Sequence, residues 1–523
     1  MGEAPVAEIS TTGLDEDGRN AIFDRLQAQL PDVWRGFRGD DPRESVVVVP
    51  SMSLDRVVAG AGGMNQALEE RLLFLLLLLR QPRLRMVYVT SQPIDPSIVE
   101  YYLSLLPGVI PSHARARLSL VSVGDGGPEP LTDKLLARPR VVRRIRELIP
   151  DRTRSHLVPY NTTSAERDLA VMLGIPMYGA DPRLFPLGTK SGCRRLFAQA
   201  GVRHPAGRED LHSREDLVRA LVALRAQRPG APAAMVKLNE GVSGAGNAVV
   251  QLGGLPASGS DDEADAVQRR LADMELEDTR IGVDAYLAKL DERGGIVEER
   301  VAGDELRSPS VQMRVTPLGE VEVLSTHDQV LGGPSGQSYL GCRFPADPGY
   351  SGLITRDAER IGGLLAQEGV LGRFAIDFVT VRQGDAWEAH AIEINLRKGG
   401  TTHPFLTLQF LTDGRYDPDV GRFLTPAGEE RHLVATDHLQ DPVLRGLRVE
   451  DLFDLLARSG LHFDQARETG VVFHMMSALT TFGRVGMTAI SETPESAQAL
   501  YDTAEQALLA EAREAARPPA LPL

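Results

Sequence analysis

A chain of 523 residues, 42% hydrophobic and 25% charged, is too long for one core and implies roughly two to four domains or subdomains. Its formal net charge of −15 excludes general binding to nucleic acid or to anionic membranes, though not a local basic pocket. Two cysteines, Cys193 and Cys342, imply no disulfide framework and fit a reducing cytoplasm.

The N-terminal stretch MGEAPVAEISTTGLDEDG is acidic and has no apolar h-region, so no secretory signal is expected, and Val6 breaks the myristoylation pattern. From there to about residue 185, short β-rich runs alternate with helical stretches: VVVV (46–49), NQALEERLLFLLLLL (65–79), MVYV (86–89) and LSLVSV (118–123). The alternation predicts a parallel sheet. LLFLLLLL (72–79) is too short to span a bilayer and reads as a buried helix. GAGG (60–63) carries Asn65 at the third glycine position of the dinucleotide fingerprint and is given little weight. The seven arginines of RPRVVRRIRELIPDRTR (138–154) read as a solvated helix face rather than an anion or RNA site.

GTKSGCRRLFAQAG (188–201) spaces Cys193, Leu196, Phe197 and Ala200 as a helix that ends at Gly201. Lys190 falls in its first turn, against the helix dipole, which points to a nearby anion. SREDLVRALVALRAQRPG (213–230) predicts a helix capped by Ser213 with Asp216. AAMVKLNEGVSGAGNAVVQL (233–252) reads as strand, glycine-rich turn, strand. Gly241, Ser243, Gly244 and Gly246 would present backbone N–H groups to phosphates beside the strand-borne Lys237. No Gly-Lys-Ser/Thr ends the turn, so it is not a P-loop, and glycine-rich hairpin turns are common. Residues 253–279 begin acidic and loop-like, as an insertion. VEERVAGDE (297–305) is strand and turn; Glu298, Glu299, Val301 and Glu305 offer an apolar edge for adenine and carboxylates for ribose, or simply an acidic strand end.

SVQMRV, EVEVLST, GRFAIDFVTV and AWEAHAIEINL are a run of strands with a helix near 356–367, giving this half an α+β character. Asp377 lies on an apolar strand, where a carboxylate is costly unless paired or metal-bound. The next strand alternates Glu393, Asn395 and Arg397 with Ile392, Ile394 and Leu396. Across a turn at Gln383–Asp385, Asp377, Glu393 and Asn395 can meet as an oxygen cage for one or two Mg²⁺ ions, or Mn²⁺, with Arg397 suited to phosphate. Arg314 shares a strand face with Ser310 and Gln312 and is assigned to a substrate carboxylate. Lys398, Thr401 and His403 follow the metal strand and are assigned to the acceptor side, with a loop held by local hydrogen bonds as the equal alternative. Further on, VEDLFDLLARSG (449–460) predicts a helix, VVFHMMSAL and GRVGMTAI (471–479, 483–490) a hairpin, Pro494 the start of a last helix to about 515, and RPPALPL a disordered tail. GVSGA, GPSGQ and GYSGL miss the nucleophile elbow, and the eleven histidines contain no H-x-x-x-H pair. Both cysteines read as buried thiols.

Taken in order, Lys190, Lys237 with GVSGAG, EERVAGDE, Asp377 and Glu393-x-Asn395-x-Arg397 resemble the ATP-grasp superfamily over roughly residues 186–410. The Glu298 to Glu305 spacing is similar to that of D-alanine:D-alanine ligases, which implies adenine and ribose contacts for the two carboxylates. LNEGVSGAGN, GPSGQSYLGCRFP, EINLRKGGTTHPF and VVFHMMSALTTFGRVGMTAI resemble the branch containing the peptide ligase of pheganomycin biosynthesis, with Leu396 standing where many members have proline. The resemblance implies an α/β and α+β chain: an N-terminal parallel α/β, pre-ATP-grasp domain (1–185), a small subdomain with the phosphate loop (186–300), a metal-binding subdomain (301–410) and a C-terminal α+β extension (411–523). It implies an ATP- and Mg²⁺-dependent carboxylate–amine ligase working through an acyl phosphate, acting on amino acids or peptides in natural-product biosynthesis. Arg397, Arg314 and Lys398 would be its catalytic residues. The expected partners are small-molecule acid and amine substrates, without nucleic acid or membrane; a homodimer is allowed for and the location is cytoplasmic. A non-catalytic nucleotide-binding scaffold and a small-molecule kinase are the alternatives.

Overall fold

Val46–Val49 form a strand because both of its faces are covered, and a run of consecutive β-branched residues is what a doubly buried parallel strand requires. The computed structural model describes residues 13–37, 44–53, 62–241, 246–332, 336 and 338–517. Ser243 and Gly244 of the glycine turn, part of GAGG (60–63) and the tail beyond 517 lie outside the described residues. β1 (Ser45–Val49), β2 (Arg85–Thr90), β3 (Leu118–Ser122) and β4 (Ser155–Pro159) make a parallel sheet in the order β3-β2-β1-β4. The leucine run is buried, but as a 3-10 helix over Glu70–Arg80 that continues the α-helix Gly62–Glu69. Over residues 72–79 it is apolar all round and all but Leu78 is buried, while Arg71 and Arg80 stay partly exposed. In the arginine-rich segment, Pro139–Glu147 is a helix that buries Val142 and Ile145.

The second sheet is antiparallel: β5 (Gly207–Leu211), β6 (Ala233–Leu238), β7 (Asn247–Gln251), β8 (Glu275–Leu276) and β9 (Gly295–Glu299), ordered β5-β9-β6-β7-β8. The helix Arg214–Gln227 packs Leu217, Leu221 and Leu224 against it, with Ser213 accepting from the Asp216 N–H as its cap. Part of the segment beginning at 253 is helical, over Glu263–Arg270.

The third sheet is nine-stranded. Its strands are β10 (Glu305–Arg307), β11 (Pro309–Val315), β12 (Val321–Gly332), β13 (Ser338–Phe344), β14 (Gly372–Gln383), β15 (Ala386–Asn395), and then, after a small separate ribbon of β16 (Arg415–Asp417) and β17 (Arg422–Leu424), β18 (His432–Gln440), β19 (Gly470–His474) and β20 (Arg484–Ser491). β15 pairs with β14; β14 pairs with β10 and β11; the order then runs β11-β12-β13-β18-β20-β19. One sheet therefore runs unbroken from residues 305–395 into the chain beyond 411 through the β13–β18 pairing. The hairpin expected over 471–490 is present as β19 and β20, with the helix Ala478–Phe482 between them. The last helix, Pro494–Ala515, buries Ala504 and Leu508 and packs on β18 and β20. The largest core cluster joins the Glu70–Arg80 helix, the helix Thr402–Thr412 and the C-terminal strands. A second lies behind β11, β14 and β15, where Cys193, Phe197, Ile376 and Ile394 pack with the helix Pro348–Gln367. No helix among the described residues is long and apolar enough to cross a membrane.

Candidate active site

Between the five-stranded and nine-stranded sheets lies a cleft of about 560 Å³ that also reaches the N-terminal domain. From β6 comes Lys237, whose Nζ is 2.6 Å from Glu298 Oε1 at the end of β9. Arg194, on the helix Lys190–Gln199, reaches the other Glu298 oxygen at 3.4 Å, so one buried carboxylate serves two cations. Met235, Val301, Leu306 and Phe378 line this end of the cleft with apolar surface. Glu299 also lines it, accepting hydrogen bonds from the Ala206 N–H and from Arg228 Nε, each at 2.9 Å. The base of the glycine turn is fixed by the Tyr286 hydroxyl, which donates to Gly246 O at 2.8 Å, and Gly241 and Gly246 both face the cleft.

Opposite stands the polar face of β14 and β15. Asp377 pairs with Glu393 and Ala375 with Asn395, which puts the three oxygen-bearing side chains together. Asp377 Oδ2 accepts from Asn395 Nδ2 at 2.9 Å and Oδ1 from Gln329 Nε2 at 2.8 Å. That bond leaves Asn395 Oδ1 free to face a cation. Burial, then the charge of Glu393, pushes the Asp377 carboxyl up to about 6. Burial would also raise Glu393, but Lys190, Arg397 and Lys237 outweigh it and hold the carboxyl below its ordinary range. Lys190 forms an ion pair with Glu393, and its amine is raised because that carboxylate outweighs burial. Two adjacent carboxylates, one pushed up by burial and then by the other, beside an amide oxygen make a hard-cation donor set. The residues therefore fit Mg²⁺.

Strict alternation along β15 fails at one residue. Asp377 opposes Glu393 but Phe378 opposes Ala391, so Ile392 is the extra residue of a β-bulge. The bulge turns Ile392 into the cleft beside Glu393, whereas Ile394 stays in the core and donates its N–H to Cys193 Sγ at 3.2 Å. Arg397 lines the cleft without a carboxylate partner within ion-pair distance among the described residues; its Nη1 donates to Lys398 O at 3.1 Å.

Three expected residues lie elsewhere. Arg314 is one strand repeat past Gln312, beyond the cleft, where it pairs with Glu322 and sits 5.2 Å over the Trp34 ring. Lys398 turns away from the cleft and donates to Pro159 O at 2.5 Å, strapping the loop after β15 to the end of β4. Glu305 points at Arg307 (2.5 Å) and Arg382 (3.4 Å), while the cleft wall passes from Val301 to Leu306.

The inner end of the cleft was not apparent from the sequence. Arg71, Tyr160, Tyr339, His438 and Arg484 line it, with Met52, Met64 and Leu68. Arg71 Nη2 lies 2.8 Å from Asp437 Oδ2, and the Nε2 atoms of His474 and His403 reach Asp437 Oδ1 at 2.8 and 3.0 Å. Only His403 had been singled out, and it stands behind this wall, 3% exposed. The others come from segments hundreds of residues apart.

A family model described as IQCH-like, ATP-grasp matches residues 184–275 and 282–418, and one described as PGM1 C-terminal domain matches 451–504. The chain is 30% identical over 484 residues to L-propargylglycine--L-glutamate ligase of Streptantibioticus cattleyicolor, covering 90% of this chain and 95% of that protein. It is 24% identical over 475 residues to IQ motif-containing protein H of Danio rerio, spanning 80% of this chain but only 44% of that longer protein. Among solved structures, the β,γ-ATP complex of Campylobacter jejuni biotin carboxylase superposes with a TM-score of 0.52 at 13% identity, over 91% of this chain and 95% of that one, a likeness of fold. With the strand order, the cleft and these matches together, the chain belongs to the ATP-grasp family of ligases.

Proposed function

We propose that the protein joins the carboxylate of one amino acid or peptide to the amine of another in natural-product biosynthesis, consuming ATP and releasing ADP and phosphate. The observation that carries this reading is the convergence of Asp377, Glu393 and Asn395 on one side of a cleft whose other side bears Lys237 and the glycine turn. Adenine would lie in the slot of Met235, Val301, Leu306 and Phe378. Lys190, Lys237 and the backbone N–H groups of the turn, Gly241 and Gly246 together with Ser243 and Gly244, would hold the phosphates. Glu298 and Glu299 would serve the nucleoside, and Glu305 would reach the ribose only after leaving Arg307 and Arg382.

Asp377, Glu393 and Asn395 would hold one or two Mg²⁺ ions, or Mn²⁺, which when bound neutralise the β- and γ-phosphate charge. The substrate carboxylate attacks the γ-phosphorus, the bond to the ADP oxygen breaks, and an acyl phosphate forms. The amine then attacks the acyl carbon, loses a proton, and expels phosphate. Arg397, which has no carboxylate within ion-pair distance among the described residues, would offset charge on the transferring phosphoryl group and on the later oxyanion. The relative named as a propargylglycine–glutamate ligase supports amino acids as the substrate class. Two free, buried cysteines accord with a cytoplasmic setting, and a homodimer is the assembly this reading allows.

The test is incubation with ATP, Mg²⁺ and a panel of amino acids and dipeptides, reading ADP release and, with hydroxylamine added, hydroxamate formation. Hydroxamate with ADP is expected. A phosphorylated product inert to hydroxylamine would make the protein a kinase, and no ADP with any acid would favour a scaffold.

A further inference from the structure

At the inner end of the cleft two guanidinium groups stand beside Asp437, and only Arg71 pairs with its carboxylate. Arg71 comes from the 3-10 helix of the N-terminal domain and Arg484 from the first residue of β20. Asp437, on β18, is engaged by Arg71 and by two imidazoles: Oδ2 lies 2.8 Å from Arg71 Nη2, Oδ1 lies 2.8 Å from His474 Nε2 and 3.0 Å from His403 Nε2, and these two ring nitrogens are 3.0 Å apart. Arg484 receives only the backbone, donating from Nε to Asp437 O at 2.6 Å. Among the described residues no carboxylate side chain lies within ion-pair distance of it. Two of the neighbouring imidazoles add no charge: burial drives His403 down to about 4 against the pull of Asp437, and burial and Arg484 drive His438 to about 4. Glu70, next to Arg71 in the chain, is turned to the Ser477 N–H at 3.1 Å and burial pushes it up to about 7. Arg71 and Arg484 are thus two cations set against the one carboxylate of Asp437, and burial together with Arg71 lowers the Arg484 guanidinium. Like charges held together at the end of a cleft are stabilised by an anion placed between them.

The position of this wall decides which anion. It belongs to the same cleft as Glu393, Asn395 and Arg397, but Asp437 and Arg484 come from β18 and β20, with β11, β12 and β13 between them and the β14 strand that carries Phe378. A nucleotide in the apolar slot would not extend there. The floor beside the arginines is Met52, Met64 and Leu68, a flexible apolar surface that suits an aliphatic side chain. The supporting network is built tightly: Gly486 has no Cβ because one would sit 2.1 Å from the His474 ring.

We propose that this inner end is a carboxylate pocket, in which Arg484 and Arg71 bind the free carboxylate of the amine substrate, an amino acid or a peptide. The pocket keeps that carboxylate away from the phosphates and so presents the amine, not the acid group, to the acyl phosphate. Asp437, with His403 and His474, is the positioning residue that fixes Arg71. This rests on the ligase reading above.

The experiment compares wild type, Arg484→Gln and Arg484→Lys with an acceptor amino acid and its primary amide. In wild type the amide is expected to raise the acceptor KM by about thirtyfold, the worth of a charge-assisted hydrogen bond. Arg484→Gln is expected to raise the KM for the acid similarly while erasing the preference over the amide, and Arg484→Lys to restore part of it. Hydroxylamine is a nucleophile without a carboxylate, so hydroxamate yield should fall less than threefold. Equal use of acid and amide by wild type overturns the pocket, as does a parallel loss of hydroxamate in Arg484→Gln. Should wild type form no hydroxamate with any acid, the ligase reading fails first. Calorimetric binding of the same acid and amide then still reads the pocket, and equal affinities reject it.

Discussion

Lys190 and Glu393 form an ion pair between the first turn of a helix and the polar face of β15, joining a candidate phosphate ligand to a candidate metal ligand. Glu393 therefore has two partners to satisfy, a lysine and a cation. Glu393→Gln removes a carboxylate from the metal set and the partner from a buried amine. The expected result is loss of the Mg²⁺-dependent part of nucleotide affinity, about tenfold or more. Calorimetry with a non-hydrolysable ATP analogue, with and without Mg²⁺, checks this; a variant that still binds more tightly with Mg²⁺ would remove Glu393 from the metal set.

Lys237 and Arg194 share Glu298, and the asymmetry gives opposite outcomes for the two ends of the pair. Glu298→Gln leaves two buried cations without their counter-charge and should cost about 3 kcal/mol of stability. Lys237→Met leaves Glu298 paired with Arg194 and should cost about 1 kcal/mol or less while weakening nucleotide binding about tenfold or more. Denaturant midpoints for both variants, set beside nucleotide affinity for Lys237→Met, separate the roles. Equal destabilisation by the two changes would mean that Arg194 does not hold Glu298.

The cluster of Asp377, Glu393 and Asn395 and the strand-borne Lys237 were legible in the sequence because each needs only a single hairpin. Asp377, Glu393 and Asn395 need only one turn and one register to meet, and Lys237 needs only its own strand and the turn that follows. Period-two alternation placed Glu393 correctly but could not foresee the bulge that turns Ile392 into the cleft, since a bulge is set by pairing across strands. Arg314 lies outside the cleft lining for a related reason: it shares a face of β11 with Ser310 and Gln312 but stands further along it, and facing says nothing about distance from a site. The inner wall was invisible because Arg71, Asp437 and Arg484 meet only where β18 and β20 join the nine-stranded sheet and the N-terminal domain docks on it. The leucine run announced burial but not its 3-10 winding.

Arg314 tests whether the cleft boundary is drawn correctly. Its partners are Glu322 and the Trp34 ring, which stacks on Tyr178 at 5.4 Å, so it braces the N-terminal domain against β11. Arg314→Ala is expected to destabilise by about 1 kcal/mol, from a part-buried ion pair and a cation–π contact, with KM for the acid within twofold of wild type. A large rise in that KM with unchanged stability would return Arg314 to the substrate site.

Lys398 carries the pH dependence. Its amine is enclosed, donating to Pro159 O at 2.5 Å, and burial, then the charge of Arg373, lowers it to about 7. Below pH 7 the amine is protonated in both folded and unfolded chains, and the folded state bears the full burden of an enclosed charge. Between about 7 and the ordinary lysine value near 10.4 the folded amine has lost its proton while the unfolded one keeps it. The unfolded chain then binds more protons, so this group makes stability rise with pH across that window. Lys398→Met removes the titration. Wild type should therefore gain stability relative to Lys398→Met on going from pH 7 to pH 10, as measured by denaturant midpoints of the two proteins in matched buffers. A difference independent of pH would mean that the strand-end contact holds a charged amine, and that Lys398 remains available as a cation.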